Sequence, residues 1–125
     1  MKTKFLVGLL LVASLFAQTV GHPYALGNVT TTALNIKTSA GEVVGYDVYN
    51  IGTGNCYIQF FDALAANVTV GTTKPQFAIG AGTLTGHYGT GFRIPFVNAI
   101  SVAGTTTSTG SSACNADMTG VILYH

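Results

Sequence analysis

At 125 residues the chain suffices for one small domain, and only 7% of its residues are charged, against about 25% in an average soluble domain. Three cations after position 20 (Lys37, Lys74 and Arg93) cannot build the basic surface that phosphate contacts with nucleic acid require. Four acids in the whole chain leave little for a multi-carboxylate catalyst, and the Glu/Lys/Arg faces of long surface helices are missing. With 48% hydrophobic residues, 16 Gly and 18 Thr, the composition describes a packed, Thr/Gly-rich, all-β domain rather than a disordered chain.

The chain starts with Lys2 and Lys4, continues through an apolar run over residues 5–17 (FLVGLLLVASLFA), and then offers the small residues Ala17, Thr19 and Gly21. This is the three-part layout of a secretory signal peptide, and the run falls short of the about 20 residues that a membrane span needs. The expected division is a signal-peptide helix over residues 1–21 and a β-sandwich domain over 22–125, with cleavage after Ala17 or after Gly21. No later apolar stretch approaches membrane length. Without residues 1–21, Lys37, Lys74 and Arg93 face Glu42, Asp47, Asp62 and Asp117, one net negative charge.

Residues 31–37 (TTALNIK) alternate weakly and end in a Ser-Ala-Gly turn signal, and residues 43–49 (VVGYDVY) carry β-branched and aromatic residues. The composition of residues 50–55 is that of a loop. Residues 56–61 (CYIQFF) form the strongest strand pattern, and with 43–49 they read as a hairpin over that loop. Residues 62–66 suit one helical turn, 67–70 a short extended piece, and 76–79 another strand. Five Gly among residues 80–91 predict a loop-rich segment. Residues 92–96 (FRIPF) hold Pro95, which fits an edge strand or a strand end. Residues 99–103 predict a strand, 104–112 a polar connection or Thr-rich strand, and 119–124 (TGVILY) the closing strand. About seven or eight short strands at spacings near ten residues are the pattern of a single antiparallel β-sandwich, jelly-roll-like in its layout, or of a small barrel.

Cys56 and Cys114 are the only cysteines, and behind a signal peptide an even pair reads as one disulfide. No Cys-x-x-Cys or His-x-His spacing supports zinc, and no Gly-x-Ser-x-Gly elbow, phosphate loop or Asp-rich calcium loop is present. Asn28 and Asn67 each precede a Thr at the N-glycosylation spacing. Asp47 reads as a solvent-facing strand position, and Asp62 as the end of a strand that caps the next turn. The sharpest catalytic reading is a copper brace: cleavage after Gly21 would make His22 the first residue, and its amine and imidazole with His87 would supply nitrogen ligands that suit copper. Tyr46, Tyr49, Tyr57, Phe60 and Phe61 make an aromatic-rich hairpin, one set filling the core and the other facing outward or into a partner. Six Tyr and no Trp argue mildly against a carbohydrate-stacking platform.

The run IKTSAGEVVGY (36–46) with Val48, Tyr49 and Asn50, the stretches YIQFFDA (57–63) and VGTTKPQF (70–77), then IPFVNAISVAGTTTSTGSS (94–112) and the closing VILYH (121–125), together resemble small proteins of tailed phages and prophages. The resemblance covers about residues 33–125. It implies a virion-associated β-sandwich without catalytic residues or cofactor. The export-like start and the Cys56/Cys114 pair depart from that pattern, and both point to an oxidising compartment.

The sequence therefore predicts a non-enzymatic structural or interaction module. It would be a capsid decoration, an appendage or an exported surface protein, with protein partners or copies of itself as its ligands. A secreted carbohydrate-binding module and a small copper protein using His22 and His87 are the alternatives. The expected location is periplasmic or extracellular if the signal operates, and the virion otherwise.

Overall fold

The computed structural model describes residues 21–114 and 118–125. The signal-peptide expectation for residues 1–20, and Asp117, lie outside the described residues. Eight strands follow in chain order: β1 (His22–Leu26), β2 (Leu34–Lys37), β3 (Gly41–Asn50), β4 (Cys56–Phe61), β5 (Phe77–Ala81), β6 (Thr85–Phe96), β7 (Ile100–Thr105) and β8 (Met118–Tyr124), with one 3-10 turn at Ala65–Asn67 between β4 and β5.

The antiparallel pairs β1–β8, β2–β7, β3–β6 and β4–β5 make one long ribbon folded over on itself. The pairs β3–β8 and β4–β7 close it into two sheets, ordered β1-β8-β3-β6 and β2-β7-β4-β5. That order is a jelly roll, so the expected antiparallel sandwich is what the chain forms. Val43, Val48, Met118 and Ile122 from the first sheet and Ile58, Phe60, Ile79 and Val102 from the second are at most 3% exposed between the layers. Burial of each such side chain contributes roughly 1.5–3 kcal/mol before entropy is counted. Phe60 stacks on Phe77 with ring centroids 4.1 Å apart.

Two expectations are corrected. The hairpin between residues 43–49 and 56–61 does not exist, because β3 and β4 belong to different sheets. The loop between them crosses the sandwich, and the buried Asn50 holds the crossing: its Nδ2 donates to the carbonyls of Gly54 (2.7 Å) and Ala81 (3.0 Å), and its Oδ1 accepts from the Gly52 N–H (2.9 Å). The Gly-rich segment 80–91 is mostly strand, with only residues 82–84 turning the chain from one sheet to the other.

The reason is a set of cross-strand pairs. Tyr46 lies opposite Gly89, Tyr49 opposite Gly86, and Tyr57 opposite Gly80. Each ring occupies the space that a side chain on its glycine would need; a Cβ on Gly80 or Gly89 would stand 2.5 or 2.7 Å from the facing ring. An aromatic ring over a strand glycine supplies the packing that the glycine lacks. Pro95 stands, as expected, near the end of an edge strand. The strand β1 was not expected; His22-Pro-Tyr-Ala-Leu is short and carries Pro23, which an edge tolerates. In residues 67–70 Asn67 ends the 3-10 turn, Val68 is extended (φ −94°, ψ 121°) and Val70 starts a turn, so the extended piece is too short to form a strand.

Candidate functional site

The two sheets present their outer faces differently. On the β2-β7-β4-β5 sheet, Gln59 and Phe61 of β4 and Ser101, Ala103 and Thr105 of β7 point away from the core, yet all are 0% exposed. The chain roofs them itself. The Ser101 hydroxyl donates to the Ala63 carbonyl (2.7 Å), and the Ala65 N–H donates to Asn35 Oδ1 (2.8 Å), which holds residues 62–76 down on one side. Gln59 Nε2 donates to Thr105 Oγ1 (2.8 Å) and to the carbonyls of Thr107 (3.1 Å) and Gly110 (3.0 Å), which holds the loop after β7 down on the other. The two covering segments meet where Gly71 touches Ser111. The Cys56–Cys114 disulfide, with Cα atoms 5.3 Å apart, ties the second segment to the start of β4.

The β1-β8-β3-β6 sheet carries no such roof among the described residues. Two adjacent cross-strand rows lie at the centre of its outer face: Pro23, Leu123, Gly45 and Thr90, then Ala25, Val121, Asp47 and Tyr88. A cleft of about 250 Å³ opens there, lined by Tyr46, Asp47, Tyr88, Thr90, Val121 and Leu123. Tyr88 is 77% exposed beside it, and Tyr49 stands next along the sheet, its hydroxyl donating to the Leu84 carbonyl (3.0 Å). Asp47 is the only charged residue in these rows, and its exposure agrees with the solvent-facing position read from the sequence. Exposed apolar surface on a sheet face marks contact sites.

The structure does not bring the brace histidines together. His22 lies on β1 and His87 on β6, the opposite edges of one sheet, with β8 and β3 between them. Three strand spacings alone are roughly 14 Å, whereas two ligands of one ion lie within a few ångströms. His22 instead contacts the Tyr124 ring, and His87 the Tyr46 ring. Among the described residues no three His, Cys, Asp or Glu side chains gather where a metal ion would fit.

Asp62 ends β4 as expected, but the turn that it caps is a distant one. Its Oδ1 accepts the Asn98 N–H (2.7 Å) at the β6–β7 turn, and Asn98 Nδ2 donates to Oδ2 (3.3 Å); the adjacent 3-10 turn has no side-chain cap. Burial acts to raise the Asp62 pKa, but hydrogen bonds from the backbone of Asn98, Val97 and Ala99 and from the Asn98 side chain outweigh it and hold the carboxyl below its ordinary value. A carboxyl depressed in the folded state stabilises above the unfolded pKa, about 3.9, and that contribution is lost as pH falls through the lower folded value. Asp62→Asn is therefore expected to melt below the wild type at neutral pH, by about 1 kcal/mol as for the loss of a capping residue. The gap should narrow in acid as pH falls through the lowered Asp62 pKa. Paired thermal melts across that range check it, and a gap unchanged in acid would remove the charge from the explanation.

Asn28 and Asn67 are both exposed, on the β1–β2 connection and at the end of the 3-10 turn. The aromatic strands divide between core and surface. Phe60 and Phe61 are buried, one between the sheets and one under the roof, while Tyr46, Tyr49 and Tyr57 cover glycines. The sequence reading missed Tyr88, because its segment read as loop. No protein-family model, no curated protein and no solved structure matches the chain. No helix among the described residues is long and apolar enough to cross a membrane.

Proposed function

We propose that this domain is a non-enzymatic structural module that is exported and assembles, through the outer face of its β1-β8-β3-β6 sheet, on itself or on a virion or cell-surface structure. One observation carries the reading: among the described residues the chain roofs one sheet with its own loops and lays none over the other, where Tyr88, Val121 and Leu123 surround a cleft with a single carboxylate. A nearly uncharged face loses little on desolvation when it packs against a partner. The likeness of residues 33–125 to small phage proteins supports the virion branch, and the disulfide supports export into an oxidising compartment.

The test is light scattering on the wild type and on Val121→Asp, which sets a second carboxylate in the cleft. Assemblies above the monomer mass are expected for the wild type, with a shift toward monomer for Val121→Asp. Thr109→Asp, on the roofed side, should leave them unchanged. A wild type that stays monomeric at high concentration, and that recovers no virion or envelope protein on capture, overturns the proposal.

A further inference from the structure

The four sheet edges are not defended alike. Edge strands expose unpaired N–H and C=O groups, and proteins protect them with proline, lysine, bulges or short length. The edge β1 has five residues and includes Pro23. The edge β2 has four residues, a register irregularity and Lys37. The edge β5 has five residues, followed at once by the crossing that starts β6. The edge β6 has twelve, and its guards sit at one end only. Pro95 is there, with Arg93 bonded to Glu42 (3.1 Å) and a bulge that includes Gly91 at φ +77°. Residues 85–91 (TGHYGTG) contain no proline and no formal charge, and all but Gly89 are exposed. The Tyr49 and Tyr46 rings over Gly86 and Gly89 hold this segment as regular strand against β3.

We propose that residues 85–91 pair antiparallel with the same residues of a second copy, centred on Tyr88, so that two β1-β8-β3-β6 sheets become one continuous sheet. This rests on the assembly reading above and specifies where one of its contacts lies. The occupant follows from charge. Strands paired about a two-fold axis set the central residue opposite its own copy and every other residue opposite a member of the same short segment, so like charges within that segment would repel, and residues 85–91 carry none. A charged peptide would find no counter-charge along it.

The register follows from side-chain direction. A two-fold axis normal to the sheet keeps the outer face outward, so opposed residues must differ by an even number of positions. Centring on Tyr88 sets it opposite its own copy on the outer face, His87 opposite Gly89, Gly86 opposite Thr90 and Thr85 opposite Gly91. Every side chain except the central ring then meets a glycine, and the central contact is an aromatic pair, a favourable cross-strand combination. The neighbouring register, centred on His87, sets two imidazoles against each other.

Sedimentation of the full chain over a wide concentration range, together with amide hydrogen exchange, tests this. Self-association is expected, with amide exchange within 85–91 slowing as concentration rises, because free edge N–H groups become bonded. Tyr88→Lys sets two cations opposite each other and should weaken association about tenfold or more; Thr53→Lys, in the β3–β4 loop, should not. Full-strength association of a Tyr88→Lys protein that melts like the wild type, or association that leaves exchange within 85–91 unchanged, overturns the edge contact while the assembly reading stands. A wild type that remains monomeric at every concentration overturns self-pairing outright, and the assembly reading then depends on recovery of another protein. If Tyr88→Lys fails to fold, the exchange of the wild type decides.

Discussion

Reduction of the Cys56–Cys114 bridge is expected to remove about 4 kcal/mol of stability, the chain-entropy value for a loop closed over 58 residues. For a domain of this size that lowers the melting temperature by roughly 20 °C. The location makes the loss more than a change in the unfolded chain. Cys56 is fully buried at the start of β4, and Cys114 packs against the core at the end of the segment that roofs Gln59. Gln59 Nε2 is shared among three acceptors, and its Oε1 is buried with no hydrogen-bond partner among the described residues. The disulfide therefore holds the roof over a buried amide that bonds two of its carbonyls. In denaturant titrations with and without a reductant, the Cys56→Ala/Cys114→Ala protein should coincide with the reduced wild type. Both should unfold well before the oxidised protein. Equal midpoints for oxidised and reduced wild type would show that the bridge stabilises nothing.

This layered arrangement explains what was legible in the sequence. Residues 56–61 stand out because β4 is buried on both faces, and strands covered on both sides read as continuous apolar runs rather than alternation. The same cover hides a polar residue: Gln59, in the middle of that run, is fully buried and anchors the roof. Pro95 marked its edge correctly because a missing N–H is a local property that tertiary context does not override. The glycines of residues 80–91 misled for the opposite reason. A glycine weakens a strand only when nothing fills the space above it, and the rings that fill it come from Tyr46, Tyr49 and Tyr57, more than twenty positions away in the chain. The open cleft was illegible on the same ground, since Asp47, Tyr88 and Val121 come from three strands and meet only through register.

The false hairpin leads to the other large effect. Strand, loop and strand of suitable length within residues 43–61 are compatible with a hairpin or with a crossing between layers, and the choice falls on Asn50. Its side chain bonds both crossings at once: Gly52 and Gly54 within the β3–β4 loop, and the Ala81 carbonyl where β5 leaves for β6. Asn50→Ala leaves the Ala81 carbonyl, in a residue only 6% exposed, without this donor and frees the loop. Each unsatisfied buried group costs about 1–3 kcal/mol, so a loss of about 3 kcal/mol is expected. Asn50→Asp keeps the acceptor for the Gly52 N–H but sets a carboxylate oxygen against two carbonyls, and it should be at least as damaging at neutral pH and partly recover in acid as the carboxyl gains a proton to donate. Tyr49→Phe, which removes an exposed hydroxyl bond to Leu84 beside the same corner, should cost well under about 1 kcal/mol. Equilibrium unfolding of the three variants tests the assignment. If Asn50→Ala costs no more than Tyr49→Phe, the corner is held by packing alone, and the reason these strands separate into two sheets must be sought in the Tyr–Gly pairs instead.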